Sequence, residues 1–270
     1  MSFLPLVIEP EILEKQLGNE KLLIVDLCKP EVHLNLHIPG AVHLDYIRIV
    51  RIEKPVMGLL PEPSVINEVL SSIGFTPEHH VVAYDDEGGG KACRLLWTLS
   101  ACGYEQYSLL NGGINAWANE RHPVTRDVTP LKNSHCDLPC NSDEAVADKK
   151  YIMNALGNPD IRILDARTTE EFTGQKRFAE KAGHIPGAKN LDWLLTMDQG
   201  RNLRLKPENE LRDLLAERGL SPEKETIVYC QSHHRSAHSY IMLKSLGFER
   251  VRGYPGSWSD WGNASDTPVE

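Results

Sequence analysis

The chain has 270 residues, enough for two domains at roughly 100–150 residues each. Lys and Arg total 29 against 38 Asp and Glu, a net charge of −9, and an acidic surface repels phosphate backbones and anionic lipid, which argues against a general nucleic-acid or membrane-surface binder. Hydrophobic residues at 41% and charged residues at 25% are ordinary for a globular protein and too apolar for disorder.

The N-terminal segment has no basic start, and its apolar stretch is broken by Pro5 and stopped by Glu9, so no export signal is read. No apolar run approaches the roughly 18 residues of a membrane span. A cytoplasmic protein is expected, with its six cysteines (28, 93, 102, 136, 140 and 230) as reduced thiols and not as a disulfide framework.

An internal repeat organises the rest. The run from Leu23 to Glu31 leads into His37-Ile-Pro-Gly-Ala41, and the run from Ile163 to Glu171 leads into His184-Ile-Pro-Gly-Ala188. Gly74-Phe-Thr-Pro-Glu78 returns as Gly219-Leu-Ser-Pro-Glu223. Gly103, Gly112 and Trp117 return as Gly247, Gly256 and Trp261 at a constant offset of 144. Landmarks recurring in order mark a tandem duplication. We read a first domain over 1–122, a Pro-containing linker over 123–143 and a second domain over 144–270. The linker pair Cys136 and Cys140 has no partnering Cys/His pair at zinc spacing, so no metal site is read there.

In the second half, Ile161–Asp165 and Thr226–Tyr229 read as buried strands. Glu208–Arg218 carries Leu211, Leu214 and Leu215 on one face and stops at Gly219, a helix with a glycine after its end. Arg235–Leu246 reads likewise and stops at Gly247. Strands alternating with helices predict an α/β fold, a mostly parallel sheet with helices on both faces, once per half. Ligands in such sheets sit where strands turn into helices at their carboxyl ends.

That rule singles out Cys230-Gln231-Ser232-His233-His234-Arg235. A short loop curling over a helix start turns backbone N–H groups inward and forms an anion nest. A thiolate at Cys230 gains from those amides, the helix dipole and Arg235, so its pKa should fall below the free value of about 8.5. The remaining cysteines read as small buried hydrophobes or linker residues. At offset 144 the first half places Asp86 opposite Cys230, with Asp85 as the alternative if a gap intervenes. Either aspartate makes that half inactive.

These residues resemble the rhodanese family, the thiosulfate sulfurtransferases, in its tandem two-domain form. Asp165-Ala-Arg167 with Gly183–Ala188, the Cys-x-x-x-x-Arg loop, and Gly256-Ser257-Trp258 resemble the family's signatures. The His-His loop is very similar to that of the Azotobacter and pseudomonad type. The resemblance implies two rhodanese-like domains, an inactive first one packed against an active second one, and sulfur carried from thiosulfate to cyanide or a thiol as a Cys230 persulfide. It implies no cofactor and no metal.

Arg235, Gln231, Ser232, His233 and His234 are the expected substrate-binding residues, with Arg167 as a further anion contact. His233 and His234 stand open between binding substrate and shaping the loop. His37, His184, Asp26 and Asp165 occur in both halves and read as structural. Trp193 and Trp258 either wall the pocket or belong to the core. Two departures bear on the donor: the loop has no fixed positive charge before Arg235, and Glu171 stands where many two-domain members have an arginine. The rivals are a 3-mercaptopyruvate sulfurtransferase and a module delivering persulfide to a protein partner. A Cys/Arg phosphatase needs five residues between Cys and Arg, and four lie between Cys230 and Arg235. A small anionic donor, no nucleic acid, no membrane and a monomer complete the expectation.

Overall fold

The predicted apolar runs form strands. Ile161–Asp165 is a strand as read, and the next begins one residue early, at Glu225–Tyr229. The helices Glu208–Ala216 and Arg235–Ser245 lie within the predicted segments, and Gly219 and Gly247 follow them in the left-handed conformation that glycine adopts without strain. The computed structural model describes residues 3–131, 134–141 and 143–270. Among these residues, no helix is long and apolar enough to cross a membrane.

The chain divides into two units, one built from Met1–Ile49, Pro61–Asn141 and Met197–Leu205, the other from Val50–Leu60, Ser142–Thr196 and Lys206–Glu270. The main division falls within the linker read from the sequence, but two short antiparallel hairpins cross it. The first half's hairpin, Arg51–Glu53 with Val56–Leu59, belongs to the second unit, and the second half's, Met197–Asp198 with Arg204–Leu205, belongs to the first.

The first unit holds a five-stranded parallel sheet ordered Val7–Ile8, Tyr107–Leu110, His80–Tyr84, Leu22–Asp26, Val42–His43. The second holds a four-stranded parallel sheet ordered Val251–Gly253, Glu225–Tyr229, Ile161–Asp165, Lys189–Asn190. In each, chain order reverses direction beside the first long strand, the kind of switch point beside which such sheets bind ligands. Each sheet packs into its own apolar cluster, with Ile24, Val82 and Trp117 in the first and Ile163, Ile227 and Trp261 in the second.

The duplication extends to single hydrogen bonds. Tyr84 Oη accepts from Ile38 N at 3.3 Å, and Tyr229 Oη accepts from Ile185 N at 3.2 Å. The indole of Trp117 donates to Pro123 O, and that of Trp261 to Pro268 O. The histidines before Ile-Pro-Gly are tied to backbone, His37 to His33 O and His184 to Phe172 O. Asp26 accepts from Cys28 N and Asp165 from Arg167 N, shaping both turns.

One expectation is corrected here. Cys102 and Cys140 form a disulfide, 38 residues apart, so the six cysteines are not all reduced. The linker returns along the helix Pro63–Ser72, where Asn67 receives Leu138 N at 2.9 Å and Ser71 receives Cys136 N at 2.9 Å. That path carries Cys140 to the end of the helix Gly90–Ala101, a proximity that spacing along the chain does not reveal.

Candidate active site

Tyr229 pairs in register with Asp165, so Cys230 leaves the sheet at the carboxyl end of an interior strand. The helix Arg235–Ser245 starts five residues later. Cys230 is 1% exposed. Burial pushes its thiol pKa up, but the charge of Arg235, the hydroxyl and amide of Ser236 and the amide of Ser232 pull it down, and the net shift is downward. The other free cysteines shift the opposite way. Burial and Asp26 raise Cys28, burial and Asp85 raise Cys93, and burial raises Cys136. The thiolate is the nucleophilic form, so these four groups are sorted by chemistry as well as by place.

Arg235 closes the loop and is itself held. Its two terminal nitrogens donate to the two oxygens of Glu171 at 2.6 and 2.9 Å, the two-pronged geometry that planar guanidinium favours. Glu171 is 3% exposed. Burial alone would raise its pKa, but the bonds and charge of Arg235 hold it below the usual carboxylate range. Glu171 also completes a capping box with Thr168, the hydroxyl accepting from Glu171 N and the carboxylate from Thr168 N.

The remaining loop residues divide. Gln231, Ser232 and His234 are partly exposed, and Gln231 donates to Phe178 O at 3.3 Å. His234 and His238 pack against Trp193 at ring distances of 5.7 and 5.5 Å. His233 is fully buried, has φ +53° and shares a 2.8 Å hydrogen bond between Nδ1 and Ser236 Oγ. That geometry favours loop shaping, one of the two readings the sequence leaves open for His233.

Arg167, expected as a further anion contact, is turned inward and is 2% exposed. Its guanidinium donates to Asp165 at 2.6 and 3.0 Å and to Gly183 O at 2.8 Å, and it lies over the Trp258 ring at 4.4 Å. A buried guanidinium with a carboxylate partner two residues away is a structural group. Trp258 belongs to the second unit's core.

Three contributors to the loop carry roles that the sequence did not assign, although Ser257 lies within the signature Gly256-Ser257-Trp258. Ser236 supplies both a hydroxyl and an amide to the sulfur. Ser257 accepts from two loop amides, Cys230 N and His233 N. Gly58 packs so tightly that a Cβ there would lie 2.1 Å from Ser232 O. A serine where the repeat has Gly113 was the available signal for Ser257. No local pattern marks Gly58.

A model of the Rhodanese-like domain matches residues 9–120 and again 148–264. A thiosulfate sulfurtransferase of Pseudomonas aeruginosa is 42% identical over 269 residues, covering 100% of this chain and 98% of the relative. The chain belongs to the rhodanese-like domain family. A thiosulfate sulfurtransferase of Azotobacter vinelandii is also 42% identical, over 267 residues, covering 99% of this chain and 97% of that one. The crystal structure of YnjE shares the fold, with a TM-score of 0.87 at 18% identity over 98% of this chain and 68% of the other.

The first rhodanese-like unit repeats the loop with other contents. The strand His80–Tyr84 ends as Glu225–Tyr229 does, so Asp85 and not Asp86 stands where Cys230 stands, at an offset of 145. The Asp85 carboxylate fills the nest. One oxygen accepts from Glu87 N and Gly89 N at 3.0 and 2.8 Å, the other from Lys91 N and Ala92 N at 2.9 and 3.0 Å. Gly90 occupies the position of Arg235. The three residues of the described chain able to gather around a metal ion, Glu11, Glu120 and His122, also lie in this unit, and Arg204 already binds Glu120 at 2.5 and 2.8 Å.

Proposed function

We propose that the protein is a thiosulfate sulfurtransferase working by a two-step exchange through Cys230. The Cys230 thiolate attacks the outer sulfur of thiosulfate, a new S–S bond forms, and the original one breaks with its electron pair leaving on sulfite. The product is a Cys230 persulfide anion. Cyanide or a thiolate then attacks its terminal sulfur and regenerates the Cys230 thiolate. This is covalent catalysis by a nucleophile activated through a lowered pKa. It requires no cofactor and no metal.

One observation carries the reading: of the four free cysteines, Cys230 alone has its pKa pushed down, and it does so inside a nest of amides at a helix start. The Asp85 loop supports it, since an oxyanion there receives amides two, four, six and seven residues ahead. A persulfide on Cys230 would meet the equivalent amides of Ser232 and Ser236, whereas the amide of Ala237, the counterpart of Ala92, donates to His234 O at 3.2 Å. Arg235 balances the anion, while Gln231, Ser232 and His234 line the partly exposed side where donor and acceptor enter.

3-Mercaptopyruvate is the second donor to test, because Glu171 neutralises Arg235 and nothing between Cys230 and Arg235 carries a fixed positive charge. The ratio of specificity constants for the two donors decides between them. The enzyme is proposed to act as a cytoplasmic monomer that binds no nucleic acid, passing sulfur to a small thiol or to a protein acceptor.

Intact mass before and after thiosulfate tests the reading. The protein should gain one sulfur and lose it on adding cyanide, and Cys230→Ser should abolish both the gain and turnover. Cys28→Ser, Cys93→Ser and Cys136→Ser should retain transfer. Turnover surviving in Cys230→Ser overturns the mechanism.

A further inference from the structure

We propose that Ser257 is a positioning residue that selects which loop amides face the Cys230 sulfur. A serine hydroxyl has two acceptor sites and one proton, and all three are used. Oγ accepts from Cys230 N at 3.3 Å and from His233 N at 3.0 Å, and donates to Tyr254 O at 2.8 Å. Ser257 is fully buried, so no water substitutes for it.

The two loops show why the hydroxyl matters. In the first unit the Asp85 carboxylate takes the amides two, four, six and seven residues ahead. In the second unit Ser257 takes the complementary amides, those of Cys230 itself and of the residue three ahead. The amides of Ser232 and Ser236, two and six ahead, turn to the sulfur. The loop thus has an inward set and an outward set, and Ser257 holds the outward set.

The repeat points the same way. The first unit has Gly113 where the second has Ser257, and both adopt a left-handed backbone, φ +54° and +51°. At Gly113 a Cβ would meet Asp85 O at 2.2 Å. That loop is organised from within by its carboxylate. A single thiol sulfur presents fewer acceptor sites than a carboxylate, so the active loop needs an acceptor from outside. A serine in a conformation that favours glycine is a local strain maintained at a functional place.

The proposal rests on Cys230 as sulfur carrier, and its test is built to fail separately from that reading. Ser257→Gly removes the hydroxyl and relieves the backbone, whereas Ser257→Ala removes it and keeps the strain. The first readout is the pH dependence of Cys230 alkylation by iodoacetamide, which needs no sulfur chemistry. Both variants should move its midpoint upward together. The second is single-turnover persulfide formation with thiosulfate, which both should slow by about tenfold, a modest fraction of what losing a direct anion donor costs. The effect should fall on kcat with KM for thiosulfate little changed.

A purely structural role predicts divergence, with Ser257→Gly at least as active and stable as the parent and Ser257→Ala impaired. An alkylation midpoint unchanged in Ser257→Gly overturns the proposal. Absence of any sulfur gain in the unmodified protein overturns the persulfide reading and leaves the alkylation result to decide the role of Ser257.

Discussion

Arg235 faces two anions at once: the Cys230 thiolate, whose pKa it lowers, and the Glu171 carboxylate, which it grips with both terminal nitrogens. Glu171 therefore sets how much positive charge remains for a substrate. Glu171→Gln should lower the alkylation midpoint of Cys230 further and lower KM for thiosulfate, because one negative charge leaves an anion site. It should also cost stability. Arg235→Ala should do the reverse to the thiol, raising its midpoint and slowing persulfide formation by roughly 10–1,000-fold. It leaves a buried carboxylate unpaired, a loss on the order of 3–5 kcal/mol in urea unfolding. Equal alkylation profiles for Glu171→Gln and the parent would separate Glu171 from the thiol.

Acid should unfold the protein through two buried histidines. Burial lowers His80 to a pKa of about 4, and burial, followed by the charge of His234, lowers His238 to about 4. In the unfolded chain a histidine titrates near 6.5. Between these values the unfolded state binds protons that the folded state refuses, so stability is complete above about 6.5 and is lost as pH falls toward about 4. With two such groups the slope approaches about 2.7 kcal/mol per pH unit. Melting temperatures measured from pH 7 to 4.5 should fall steeply, and His238→Phe should flatten that decline.

Gly58 tolerates no side chain. An added Cβ would lie 2.1 Å from Ser232 O and 2.8 Å from Pro255 O, both backbone atoms, so the loop itself would have to move. Gly58→Ala should reduce kcat at least tenfold and destabilise by about 1–3 kcal/mol, the usual range for overpacking. Parental persulfide kinetics in this variant would show that the loop accommodates the shift.

Asp85 should be structural and electrostatic at once. Asp85→Asn replaces two acceptor sites with donors that face amide N–H groups. A loss on the order of 2–4 kcal/mol is expected in denaturant unfolding, with sulfur transfer at Cys230 retained in the folded fraction. Abolished transfer in a fully folded Asp85→Asn would refute this separation of roles.

Much of this was legible in the residues. The repeat, the strand ending at Tyr229 and the helix from Arg235 place Cys230 from the sequence alone, because hydrophobic runs and glycine stops are local signals. Of the two aspartates that the repeat offers opposite Cys230, the structure selects Asp85, because the offset is 145 at the loop and 144 at the later glycines and tryptophans. Arg167 looked like an anion contact because its counter-ion, Asp165, reads locally as a turn former. His233 showed its chemistry in the sequence but not its burial, which depends on Ser236 and Ser257 folding over it. The Cys102–Cys140 disulfide and the contact of Gly58 with Ser232 join segments distant in the chain, and no periodicity encodes them.

The crossing hairpins make each repeat unable to stand for its own unit. A fragment starting at residue 144 would carry the nucleophile, its nest and Arg235, yet lack Arg51–Leu59, the strip that abuts Ser232 through Gly58 and donates from Met57 N to Ser259 Oγ at 3.0 Å. The complementary fragment would lack Arg204, whose guanidinium ties Glu9 to Glu120. Each copy completes its unit with a hairpin borrowed from the other, so a gene shortened to the copy that holds Cys230 would encode an unsupported loop.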